Sequence, residues 1–176
     1  MTVTAADPVR AAQVVRAALE DAQLDWSSPG DGQFFVKLPG THKLMTGCWL
    51  VVGRHAMLVE AFVCRRPDEH TEDFLRFLLR RNGRTYGVAF AVDEAGDVSL
   101  VGRTPLHAVT AEEVDRLLGC VLQYADEAFD PLLEIGFASS IRREWAWRTK
   151  RGESTANLQA FARFADPERP PPIEAG

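Results

Sequence analysis

The 176-residue chain predicts an α+β fold: one largely antiparallel sheet of about five strands, in the order α-β-β-β-α-β-β-α, with an extended helical C-terminus. Three observations carry this expectation. Apolar, β-rich runs at 33–38, 44–52 and 57–64 are joined by short turn-forming segments, as hairpins and an antiparallel meander require. A second pair of runs, 86–92 and 98–103, is joined by the turn Asp93-Glu94-Ala95-Gly96-Asp97. Segments with helical spacing precede, separate and follow the two groups.

In chain order, Asp7-Pro8 reads as an N-cap followed by proline at the first helical position. Ala12, Val15, Leu19 and Ala22 recur at helical spacing, so the first helix is expected over 8–23. The stretch Ser27-Ser28-Pro29-Gly30-Asp31-Gly32 reads as a turn-rich breaker. If Arg54 and His55 form a two-residue turn, Cys48 faces Ala61 and Cys64 faces Met45. Thr71 is placed as the cap of the second helix, with Glu72 and Asp73 in its first turn and Gly83 as its stop. Phe74, Leu75, Leu78 and Leu79 are expected to form its apolar face. In the next strand Tyr86, Val88, Phe90 and Val92 alternate with Gly87, Ala89 and Ala91, which leaves one face small enough for close approach.

Thr110-Ala111-Glu112-Glu113 matches a capping box, and Val114, Leu117, Leu118, Val121, Leu122 and Ala125 continue as an amphipathic stripe. Asp130-Pro131 repeats the cap-plus-proline signal and marks a kink or a fresh helix start. Leu133, Phe137, Ile141 and Trp145 then follow at steps of four, and a last short helix is expected over 154–164. Residues 1–165 read as one domain. The proline-rich tail 166–176 is expected to be disordered.

Apolar residues make up 46% of the chain and charged residues 26%, enough for an ordinary core without disulfides or metals. The net charge of −5 argues against a domain whose main task is gripping a polyanion. No signal peptide is visible, and no apolar run approaches the ~20 residues of a membrane helix, so a cytoplasmic protein without membrane contact is expected. Cys48, Cys64 and Cys120 show no ligand spacing and read as free thiols in a reducing compartment. No Gly-x-Ser-x-Gly elbow, His-Glu-x-x-His motif or phosphate-binding glycine loop occurs. The expectation is therefore a non-enzymatic protein with no cofactor and no metal.

Three blocks resemble a known family. They are Phe62-Val63-Cys64-Arg65-Arg66-Pro67-Asp68-Glu69, then Tyr86-Gly87-Val88-Ala89-Phe90-Ala91, and a long run from Leu132 through Gly136-Phe137-Ala138-Ser139-Ser140-Ile141-Arg142-Arg143-Glu144-Trp145-Ala146-Trp147-Arg148. Together they look like the actinobacterial branch of the YbjN-domain family over roughly 7–148. The resemblance implies a fold similar to the type III secretion chaperones, which share the derived element order, are dimeric and bind other polypeptides. It also implies a place among sensory-transduction regulators. It carries over no catalytic residue.

Two surfaces are candidates for function. In the register above, the strand pair 44–52 and 57–64 is apolar on both sides. Leu44, Cys48, Leu50, Met57, Val59 and Val63 would share one side; Met45, Trp49, Val51, Leu58 and Phe62, with the single charge of Glu60, would share the other. An antiparallel sheet with one side in water should alternate with polar residues, so each side needs a cover. The chain's own helices, a second subunit in a homodimer, or a protein partner could each provide it. The second surface is the basic-aromatic run with Arg142, Arg143, Trp145, Trp147 and Arg148, which offers stacking and positive charge to a small anionic ligand or nucleic acid. A helix C-terminus whose cations complement its dipole is the plainer account of that run, and the acidic chain makes nucleic acid the lesser expectation.

Overall fold

The computed structural model describes residues 7–155 and Ala162. Helix α1 (Pro8–Asp21) is followed by strands β1 (Asp25–Gly30), β2 (Gln33–Pro39), β3 (Met45–Val52) and β4 (Ala56–Cys64). Helix α2 (Thr71–Asn82), strands β5 (Ala89–Val92) and β6 (Val98–Pro105), a single 3₁₀ turn (Leu106–Ala108) and helix α3 (Ala111–Arg151) complete it. The strands form one antiparallel sheet in the order β1-β2-β3-β4-β6-β5.

The sheet has six strands rather than about five, because the stretch placed as a breaker is the edge strand β1. Proline is tolerated there: an edge strand has no outer ladder to donate to, and the pairing with β2 shifts register between Ser27 and Gly30 around Pro29. The hairpin register is the expected one, with Cys48 opposite Ala61 and Val52 opposite Met57; its pairs begin at Cys48, short of Met45 and Cys64.

Asp7 caps α1, its carboxylate accepting from the Val9 amide at 2.9 Å. Ala11 rather than Ala12 joins Val15 and Leu19 in the core. On α2 the cap is His70, not Thr71: His70 sits in the left-handed region (φ 50°) without a side-chain cap bond. Phe74 and Leu78 are buried, whereas Leu75 and Leu79 are exposed and Phe77 takes their place against the core. Tyr86 lies outside β5 with an exposed ring, because Gly87 (φ 69°) turns the chain just before the strand. The small side of this strand is not covered as expected, since Ala89 and Ala91 are exposed; close approach is confined to Gly87, which lies against Leu117 and whose carbonyl lies against Gly102. Leu44 precedes β3 and is exposed rather than inward-facing.

Thr110 caps α3 by accepting from the Glu113 amide at 3.2 Å. The helix then runs 41 residues, about 60 Å, and continues through Pro131 instead of restarting there. Val114, Leu117, Val121, Ala125, Ala128 and Leu132 keep one stripe buried past the proline. Packing of that stripe offsets the hydrogen bond the proline cannot donate. Gly152 (φ 67°) ends α3 in a left-handed cap. The expected short helix over 154–164 falls almost wholly outside the described residues, as does the tail at 166–176.

Strand burial shows where the helices sit. Phe34, Val36 and Leu38, then Thr46, Cys48 and Leu50, then Met57, Val59, Ala61 and Val63, then Val98 and Leu100 are all buried and all share one side. Helices α1, α2 and α3 cover that side, and α3 touches both of the others. Phe74 on α2 meets Phe137 on α3 edge-to-face, 6.4 Å apart at 82°. Gly136 makes this junction possible, because a Cβ there would lie 2.8 Å from Pro67 Cβ and 2.9 Å from Phe74 Cδ2. Replacing Gly136 with valine is expected to destabilise the protein by about 1–3 kcal/mol, since overpacking outweighs any helix-propensity gain. Urea denaturation of the variant against the parent checks this.

Candidate functional site

The other side of the sheet has no cover among the described residues. It presents Phe35 and Lys37 from β2, Met45, Gly47, Trp49 and Val51 from β3, Leu58, Glu60 and Phe62 from β4, and Val101 from β6. Met45 (47% exposed), Trp49 (37%) and Phe62 (50%) stand out into solvent, with Val51 and Leu58 half-buried beside them. All five residues expected on this side are therefore brought onto one surface, because strict antiparallel pairing preserves the period-two alternation.

Aromatic packing makes much of the face apolar. The Phe35 ring packs on Trp49, its cross-strand partner, with centroids 4.9 Å apart at 50°. The same ring lies over Gly47, where a Cβ would come within 2.6 Å of it. At the margin Lys37 pairs with Asp25 at 2.9 Å. Lys43 arches over one end: its Nζ is 5.9 Å from the Phe62 ring and 5.7 Å from the Phe129 ring of α3, and it donates to the Met45 carbonyl at 3.2 Å. Burial lowers its pKa, and the nearby Cys64 opposes that shift.

Both sheet edges are closed to a further strand. At β5, Asn82 donates to the Phe90 carbonyl (3.0 Å) and accepts from the Phe90 amide (2.7 Å), occupying the bonds an added strand would need. At β1 the proline and the register shift interrupt the ladder. Association through this sheet is left to side-chain packing on the face.

Two carboxylate clips hold α3 on the covered side. Asp126 Oδ1 accepts from the backbone amides of Thr41, His42 and Lys43 at 2.8–2.9 Å. Burial pushes its pKa up, but those three bonds outweigh it and the net shift is downward. His42 Nδ1 lies 2.9 Å from Asp130. The second clip joins α3 to the loop before α2. Gly136 gives its carbonyl to the Asp68 and Glu69 amides, and the Ser139 amide donates to Glu69 at 2.7 Å, joined by the Ser139 hydroxyl at 2.7 Å. Asp68 accepts a two-pronged pair from Arg65 and a bond from the Ser140 hydroxyl, which together hold its carboxyl well below the usual range. Two of the blocks singled out in the sequence, 62–69 and 132–148, are thus the two halves of one junction.

Beyond that junction the run 142–148 does not converge on one point. Arg148 pairs with Glu144 at 2.6 Å and donates to the Ser154 carbonyl, Arg143 donates to Ser140, and Trp145 is half-buried. Trp147 is exposed beneath the Arg151 guanidinium, 4.7 Å from its ring. The polar junction itself was missed from sequence; its signal was Asp68-Glu69 just before one helix and Ser139-Ser140 inside another.

A cavity of about 300 Å³ lies between the β2–β3 loop and α3, lined by Thr41, Gln123, Asp126 and Glu127 among others. Its polar groups are engaged: Asp126 with the loop amides, and Glu127 with Gln123 and Arg81. Among the described residues no three His, Cys, Asp or Glu side chains gather as a metal site would need, and no helix is long and apolar enough to cross a membrane.

Comparison with known proteins now adds a decisive match. The YbjN family model, described as "Putative bacterial sensory transduction regulator", matches residues 11–134. The chain belongs to the YbjN family. Relatives within reach of this YbjN protein include an uncharacterized protein of Mycobacterium tuberculosis, 56% identical over 155 residues and covering 85% of each chain. Another, from Mycobacterium leprae, is 47% identical over 171 residues, covering 94% of this chain and 93% of its own. Among solved structures, a chain in the HopA1–SchA chaperone–effector complex matches with a TM-score of 0.52 at 11% identity, over 69% of this chain and 94% of its own. A chain in the ExsC–ExsE complex matches with a TM-score of 0.51 at 19% identity, over 70% and 93%. The YbjN domain therefore has the fold of the type III secretion chaperones, as the resemblance implied.

Two measurements follow from this geometry. Burial pushes both the Cys48 and Cys64 thiols up to about 12, so a thiol reagent at pH 8 is expected to label Cys120 first and the other two only on unfolding. Glu69 is pushed up by burial but held below its usual value, on balance, by Ser139. Its contribution is present above the unfolded carboxylate range and is lost as pH falls through the lowered folded value. Glu69→Gln is expected to cost about 1–2 kcal/mol at pH 7 and progressively less as the pH falls through that lowered value, read from denaturation midpoints across an acid pH series.

Proposed function

We propose that this YbjN-family protein is a non-enzymatic protein-binding module of the cytosol, chaperone-like or regulatory, that engages another polypeptide through the uncovered sheet face. The observation that supports it is the set Met45, Trp49, Val51, Leu58 and Phe62, contiguous and apolar on a side that α1, α2 and α3 leave open. Soluble domains rarely hold such a patch in water without a use for it. The structural neighbours are chains from a chaperone–effector complex and from the ExsC–ExsE complex, which accords with this role. Closed sheet edges favour a partner that lies across the face rather than one that extends the sheet.

The test is capture of proteins from native cytosol on immobilised wild type, Trp49→Ser, Phe62→Ser and Arg143→Glu. Retention by wild type and Arg143→Glu, loss by both face variants and tolerance of 0.5 M salt (about threefold above physiological) are expected. Loss only with Arg143→Glu, together with steep weakening by salt, would move the site to the run 142–148 and the ligand class to anions.

A further inference from the structure

Glu60 is out of place on the uncovered face. It stands opposite Trp49 on β3 and Val101 on β6, with Leu58 and Phe62 two positions away on its own strand. It forms no hydrogen bond or ion pair among the described residues; Lys37, two strands away, is paired with Asp25, and the exposed Arg103 of β6 shares the face opposite Leu58. Covering this face leaves Glu60 needing a cation, from the cover or from Arg103 at the side of the face, or strands a carboxylate in apolar surroundings at a cost of several kcal/mol.

The same chain carries a surface with the opposite pattern. Past the Gly136–Ser140 junction, α3 continues as an arm over residues 141–151, about 16 Å long. Its exposed residues include Arg143, Trp147, Lys150 and Arg151. Arg143, Trp147 and Arg151 fall at successive steps of four, on one stripe. The face is an anion among apolar rings; the arm is an indole bracketed by cations. The arm cannot serve its own subunit, because the Glu69 and Asp126 clips fix α3 to the opposite side of the sheet.

We propose that a second copy of this chain occupies the face, each copy laying its α3 arm across Met45, Trp49, Glu60 and Phe62 of the other. The contact is isologous and closes as a two-fold dimer. Arg143 meets Glu60, and Trp147 packs among Trp49 and Phe62. This rests on the reading of the face as a polypeptide-binding surface, and it makes self-association compete with any other partner.

Sedimentation velocity on the purified full chain tests it. Wild type is expected to dimerise at micromolar concentration. Glu60→Arg and Arg143→Glu should each weaken the dimer at least about tenfold, since like charges then face each other. The double variant Glu60→Arg/Arg143→Glu should regain most of the loss, because both copies of the pair re-form with charges exchanged. Trp147→Ser should weaken the dimer in either charge background. All three positions are exposed, so circular dichroism should be unchanged. A wild type that stays monomeric to about 100 μM overturns the proposal. So does a dimer indifferent to Glu60→Arg and Arg143→Glu, or a double variant that is not rescued. A monomer that still captures a partner through Trp49 defeats this inference alone; failure of capture with the dimer intact defeats only the broader reading.

Discussion

Leu117, Val121, Ala125, Ala128 and Leu132 press α3 onto the same side of the sheet that α1 and α2 occupy. Once three helices share one side, Phe34, Val36, Cys48, Leu50, Val59 and Leu100 are sealed beneath them, and every alternate residue of β2, β3, β4 and β6 must point the other way. The open face is the geometric complement of that packing. Its residues are apolar even though nothing in the described structure shelters them, so packing economy within one subunit does not account for them.

Polar clips decide where α3 lies along the sheet. Asp126 gathers three loop amides, and Glu69 takes the Ser139 amide while Gly136 gives its carbonyl to the 68–69 loop. Each sets a carboxylate against backbone amides, giving charge-assisted hydrogen bonds between helix and loop. The second ties the 68–69 loop to the middle of the 41-residue helix, and Arg65 stacks over Phe137 at 4.5 Å across the same junction. The result is a rigid passage from the core to an arm that leads away from the sheet.

These arrangements bear on function through exclusion. Asn82 seals one edge of the sheet and Pro29 interrupts the other, so neither backbone edge invites a strand. The cavity beside α3 has its carboxylates engaged in structure. What remains is the apolar face with Trp49 and Phe62, where Glu60 has no ion pair among the described residues.

Much of this was legible in the residues themselves. Period-two alternation, the Arg54-His55 turn and the capping signals at Asp7 and Thr110 are local, and local sterics and hydrogen bonding enforce them. Thus the register of β3 with β4, and the grouping of Met45, Trp49, Val51, Leu58 and Phe62, could be read before any fold was known. Strand β1 was hidden because its serines, proline and glycine carry turn propensity, and only pairing with β2 makes an edge strand of them. Pro131 read as a break because its local cost is real; the buried stripe on either side of it overrides that cost. The joining of 62–69 to 136–143 is a contact some seventy residues apart, and no local pattern encodes it. Alternation along each strand determined that the sheet has two apolar sides. Only tertiary packing, through the long-range fit of α3 around Gly136, decided which side is sealed and which is left open.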